Sequence, residues 1–280
     1  MKHGLNRDRL SVVTAALLLA MALLRVLEAP GRVLQLNVLG SPLGVTFSPA
    51  TVMLLIIAGL AVSGTELLLR EHGALRERAE AGESASTAMF WIVPVLLSLT
   101  LATWLNGLSD LGLWALGLVA AAVLVPLALA AEYATLDVRV GQGGRMSGWL
   151  QWSYAVLVHL TALLGFMVVY GANLRGLLAG PLVFAGAGLL VARLLWPLVG
   201  DARRALLYGV VAGVGPGEMV WVLNYWPLSA LQGGLVLLIL FYVVVGLLQQ
   251  WLLGTFNRRV VLEYSGVAVV AVVLVLVVAG

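Results

Sequence analysis

The stretch Gly209–Ser229, GVVAGVGPGEMVWVLNYWPLS, places a carboxylate, Glu218, inside a strongly apolar run, directly after Gly-Pro-Gly and just ahead of Trp221. The fold turns on which solvent that carboxylate meets, and the rest of the chain answers. Of the 280 residues 62% are hydrophobic and only 10% charged, against about 25% charged in a soluble domain. The mean hydropathy is +1.05. Such a chain belongs in a bilayer.

Several function classes fall away on composition. There are no cysteines, which excludes disulfides, zinc-thiolate sites, iron-sulfur clusters and thiol nucleophiles. With only three histidines, His3, His72 and His159, no metal site is expected. The only lysine is Lys2, so no membrane helix carries a lysine for a retinal-type Schiff base. A net charge of +3 would suit nucleic acid, but the basic residues sit in short clusters between apolar runs, where membrane orientation accounts for them. Nucleic acid is discarded as a partner; the lipid bilayer is the expected one, with other membrane-protein subunits as a second class.

A spanning helix needs about 20 mostly apolar residues. Candidate runs are Leu10 to Ala29, Pro49 to Leu69, Ala88 to Leu105, Leu111 to Ala131, Leu150 to Tyr170, Leu177 to Val199, Ala205 to Tyr225, Leu231 to Leu253 and Tyr264 to Val278. The last is short enough to be interfacial, which leaves eight crossings as the alternative to nine. The expected fold is an all-α integral membrane bundle forming one polytopic domain over residues 1–280. The basic Met1 to Arg9 segment resembles a signal-peptide start, but no small-residue cleavage site precedes Pro30, and it is read as the first span. Orientation follows from the Lys/Arg bias. With the amino terminus inside, Lys2, Arg7, Arg9, Arg70, Arg76, Arg78, Arg139, Arg145, Arg203, Arg204, Arg258 and Arg259 fall inside, and only Arg32 and Arg175 outside. A bacterial inner membrane with a cytoplasmic amino terminus is expected. The tryptophans fall near helix ends, as interfacial belts require.

Two connecting segments stand out. VLQLNVLGSPLGVTFS, 33–48, alternates polar and apolar residues around Gly-Ser-Pro and reads as an outer hairpin or an irregular loop. EHGALRERAEAGESAST, 71–87, is charged and reads as a solvated cytoplasmic connector. No internal repeat is evident.

Familiar membrane-enzyme signatures are missing: no HExxH, no Gly-x-Ser-Gly, no Gly-x-Gly-Asp, no phosphate-cradling glycine loop. An enzyme is not expected, and no catalytic residue is assigned. What remains are ionisable residues at membrane depth, each of which calls for a functional hypothesis: Arg25, Glu28, Glu66, His159, Arg193 and Glu218. Glu66 has Arg70 one turn away, and Glu28 lies beside the outer interface. Arg193 is expected to snorkel inward toward Asp201. His159 reads as a neutral histidine bonded to a neighbouring helix, or as a proton relay.

Glu218 lies fourteen residues from Arg204, about 21 Å along a helix. Arg25 lies sixteen residues from Arg9, about 24 Å. Equal depth makes Arg25 the expected partner of Glu218, with Asn224, Tyr225 and Trp221 completing a polar binding or proton site. Gly209, Gly213 and Gly217 repeat at the spacing that lets membrane helices approach closely. Pro216 favours a kink, and freed carbonyls beside a carboxylate line cavities in transporters. Two readings stay open: a kinked packing helix held by an ion pair, or the wall of a solute or proton site.

The order EMVWVLNYWPLS, FYVVVGLLQQ, RRVVLEY, with LGSPLGVTFS earlier in the chain, resembles an uncharacterised class of multi-pass bacterial inner-membrane proteins, in which a late helix carries a Glu, a Trp and an Asn-Tyr-Trp-Pro end. The resemblance covers mainly Glu218 to Tyr264 and implies a polytopic fold with no settled activity. Its pattern matches Glu218, Trp221, Asn224, Tyr225 and Trp226 here. A transport-like protein with a site at Glu218 is the leading expectation, a non-catalytic scaffold or accessory subunit the second, and a lipid-modifying enzyme the third. No cofactor is expected; a bound lipid or pigment stays open.

Overall fold

In the computed structural model, Gly200 adopts φ +78°, a left-handed conformation that favours glycine. It turns the chain from helix α6, Gly176–Val199, into α7, Ala202–Leu223. Asp201 then starts α7 by accepting from the backbone N–H groups of Arg203 and Arg204 at 3.3 and 3.2 Å. The other described helices are α1 Arg7–Val26, α2 Pro49–Arg70, α3 Ala88–Asn106, α4 Leu111–Val140, α5 Gly148–Gly171, α8 Ala230–Leu252 and α9 Arg258–Val278. Between α1 and α2, strands β1 Arg32–Val38 and β2 Ser41–Phe47 pair antiparallel, with Gln35 opposite Gly44. The structure describes residues 5–27, 32–38, 41–70, 72, 75, 87–140, 148–172, 174 and 176–278. Glu28 and most of the expected 71–87 connector lie outside them.

The protein is an all-helical membrane protein apart from that hairpin. Among the described residues, eight helices, α1 to α8, are long and apolar enough to cross a membrane. In α9, Arg258, Arg259 and Glu263 occupy the first turns, and fifteen residues, 264–278, follow before its end. That is about 22 Å of apolar helix against a hydrocarbon core of about 30 Å.

Residues 1–87 and 97–144 form one compact unit, and 88–96 with 145–280 form another. In the first, α1 packs on α2 and α4 through Leu17, Met21, Leu24, Ile57 and Ala61, all buried. In the second, α6 and α7 pair along their length, α5 packs on α8, and α8 packs on α9. Small residues permit these approaches. A methyl group on Gly234 of α8 would overlap Met167 of α5, and one on Gly246 would overlap Tyr264 of α9.

Candidate functional site

The glycine ladder that the sequence suggested is the seam between α6 and α7. A methyl group on Gly213 would lie 2.5 Å from the Phe184 carbonyl oxygen, and one on Gly217 would lie 2.8 Å from Phe184 Cβ. One on Gly209 would collide with the Gly188 carbonyl oxygen. Backbone therefore meets backbone here, and side chains larger than hydrogen have no room.

Helix α7 runs unbroken from Ala202 to Leu223 through Pro216, which lies buried on the same seam. A membrane helix tolerates the hydrogen bond that proline removes when neighbouring groups shield the freed carbonyl. The discontinuous helix that would line a polar cavity is thus not what forms.

With Gly209, Gly213, Gly217 and Val220 turned to α6, the opposite flank of α7 is exposed. It presents Leu207, Val211, Val214, Glu218 and Trp221 at alternating spacings of four and three, the period of a helix-packing stripe. Glu218 is exposed in this apolar flank, about five residues or 8 Å before the helix end. Trp221 leans across the edge of the seam: a methyl group on Gly180 of α6 would sit 2.5 Å from its indole Nε1. Asn224 closes the helix through its backbone N–H, which donates to the Val220 carbonyl at 3.1 Å. Tyr225 is 88% exposed. The carbonyls at this end are held from α5, where the Tyr170 hydroxyl donates to Leu223 and Trp226 at 3.0 and 3.1 Å. Glu218, Trp221, Asn224 and Tyr225 therefore share the carboxy-terminal end of α7, on its open side.

Arg25 sits in the last turn of α1, and its guanidinium is engaged within the first unit. It donates to the carbonyls of Leu108 and Ser109 at 3.0 and 3.1 Å and lies 5.1 Å from the Trp114 ring. These are the partners it has within that unit; Glu218 belongs to the other. The secondary candidates fare variously. Glu66 accepts from Arg70 Nε at 2.8 Å and from the Thr87 hydroxyl at 2.6 Å, a satisfied pair at a helix end. His159 bonds through Nδ1 to Ala155 O of its own helix at 2.8 Å, not to a neighbouring helix. Because a carbonyl only accepts, Nδ1 carries a proton; Nε2 is turned among Phe241 and Tyr242, without a hydrogen-bond partner among the described residues.

Arg193 does not snorkel toward Asp201. It is fully buried, with its guanidinium 4.9 to 5.5 Å from the rings of Tyr154, Phe90 and Trp196. Three aromatic faces offset part of the cost of burying that cation.

Two buried ionisable residues escape the sequence reading. Glu132 is fully buried within α4, where the Thr135 hydroxyl donates to its carbonyl at 2.8 Å. The apolar run ended at Ala131, whereas α4 continues to Val140 and carries the carboxylate inside the helix. His72, read as part of a solvated connector, is buried with its ring 4.7 Å from that of Tyr133. No group of three or more metal-ligating side chains occurs among the described residues.

The chain matches a family described as "Protein of unknown function (DUF5656)" over residues 29–278. No curated protein and no solved structure matches the chain.

Proposed function

The chain belongs to this uncharacterised family, DUF5656, and from that premise we propose that it is a non-catalytic membrane subunit that works by associating side by side with other membrane proteins. The observation behind this reading is the place of Glu218, exposed on the flank of α7 that turns away from α6. A charged side chain costs about 2.5–3.5 kcal/mol at the centre of a membrane helix on insertion scales and less toward its end, where Glu218 lies. A polar partner set against that flank removes most of such a cost; lipid does not. The same reading carries the orientation expected from the arginines, with the amino terminus in the cytoplasm of a bacterial inner membrane, and needs no cofactor.

The test is photocrosslinking in living cells. A photoreactive residue at Val211 or Val214 on the α7 flank is expected to give a protein adduct of defined mass. The same residue at Val119 or Val123, exposed on α4, is expected to give none. Lipid adducts alone at all four positions would end the reading.

A transport-like role is the second reading, supported by Glu132 rather than Glu218. A carboxylate fully buried within a spanning helix suits a proton-carrying group. In vesicles holding a pH-sensitive dye, Glu132→Gln should abolish any protein-dependent proton flux while Glu218→Gln retains it. For a lipid-modifying enzyme, two or more polar groups would have to converge on lipid. The exposed neighbours of Glu218 on its flank are instead Val214, Trp221 and Val222.

A further inference from the structure

Resting on the assembly reading, we infer that the α7 flank seats a transmembrane helix of a different protein, and that this helix carries one arginine or lysine at the depth of Glu218. Two observations support this. The flank residues Leu207, Val211, Val214, Glu218 and Trp221 are exposed at the four-three spacing that accepts the knobs of a nearly parallel or antiparallel helix. A single polar position in such a stripe sets register and partner choice in helix pairs. Glu218 is that position, and its charge selects a cation.

The other candidate occupant is a second copy of the chain. Two copies related by a two-fold axis would meet through the same flank, which would set Glu218 against its own counterpart and repel. Arg25 is not spare for the purpose, since Leu108 and Ser109 already hold its guanidinium. The flank is also presented without slack. Its back is locked on α6 by glycine contacts, and its end is held by Tyr170.

The experiment uses the full-length chain in phosphatidylcholine vesicles, labelled through Pro227→Cys, a lone cysteine in a protein that has none. The probe is a dye-labelled leucine-alanine single-span peptide with one arginine at the depth of Glu218, compared with an all-apolar version and one bearing glutamate. Energy transfer should show the arginine peptide binding roughly 5- to 30-fold more tightly than the apolar one, the strength of interhelical polar contacts in model peptides. Glu218→Gln should erase the difference, and Glu218→Lys should transfer the preference to the glutamate peptide. Val214→Trp, which alters the stripe and leaves the carboxylate in place, should weaken arginine-peptide binding.

Equal binding of arginine and apolar peptides would overturn the inference. So would undiminished arginine-peptide binding in Val214→Trp, because attraction would then be charge alone without a seat. Stronger transfer between two copies of the chain than to the arginine peptide would make a second copy the occupant; the assembly reading would survive and this inference would not. Loss of the cellular crosslinks at Val211 and Val214 is the separate result that sinks the assembly reading itself.

Discussion

Tyr170 shows how much a single hydroxyl can be asked to hold. It donates to the carbonyls of Leu223 and Trp226, which also accept from the backbone N–H groups of Trp226 and Leu228 at 2.9 and 2.8 Å, so Tyr170→Phe removes a donor without stranding either acceptor. A loss of about 1 kcal/mol is expected, read as a lower unfolding midpoint in detergent. Arg25→Lys should cost a similar amount, about 1–2 kcal/mol, because an ammonium cannot fork to Leu108 and Ser109 while lying on Trp114. Neither contact is readable from residue type. The pairing of Arg25 with Glu218 rests on equal depth alone, and depth along a helix says nothing of azimuth; the two residues belong to different units. Glu132 was hidden for another reason: it follows the apolar run directly, and a polar residue there looks like a helix boundary until tertiary packing carries the helix past it. Arg193 gave no sign of its cage because Phe90 and Tyr154 come from distant parts of the chain.

At the scale of the element, the apolar runs identified the spanning helices well, since every backbone group in hydrocarbon must be bonded within its own segment. Proline was the misleading signal. Pro94, Pro126, Pro181, Pro197 and Pro216 all lie inside helices that continue past them. The glycine pattern was the truthful one, because its spacing maps directly onto a face. Two neighbouring glycines of α7 therefore make a paired test. Gly213→Ala drives a methyl group against Phe184 O, and roughly 1–3 kcal/mol of destabilisation is expected from the overpacking. Gly215→Ala meets only Leu240 Cδ2 at 3.9 Å, an ordinary contact, and should be neutral or stabilising by up to about 1 kcal/mol through helix propensity. Thermal unfolding of the two variants in the same detergent separates them; equal midpoints would mean the seam is looser than described.

For the whole molecule, the expected topology places the starts of α7 and α9, with Arg203, Arg204, Arg258 and Arg259, in the cytoplasm. The absence of native cysteine makes this directly measurable. Arg204→Cys and Arg259→Cys should react with an impermeant maleimide only after the membrane is opened, and Tyr225→Cys should react in intact cells. The reverse pattern would invert the orientation. Composition was enough to place the chain in a bilayer, because its apolar excess spans nearly its whole length. It was silent on which flanks face lipid, since apolar residues serve equally against lipid and against protein.

The backbone-to-backbone seam of α6 and α7 has a consequence for any encounter in the membrane plane. Two helices fused through glycine, joined by a single tight turn at Gly200, have little bending freedom to lose when something lands on them. The entropy of forming a complex then falls mainly on the arriving helix. Binding to such a stiff post should be governed by how well the newcomer is already ordered, so that a mobile, poorly helical ligand would associate weakly even with a well-placed cation.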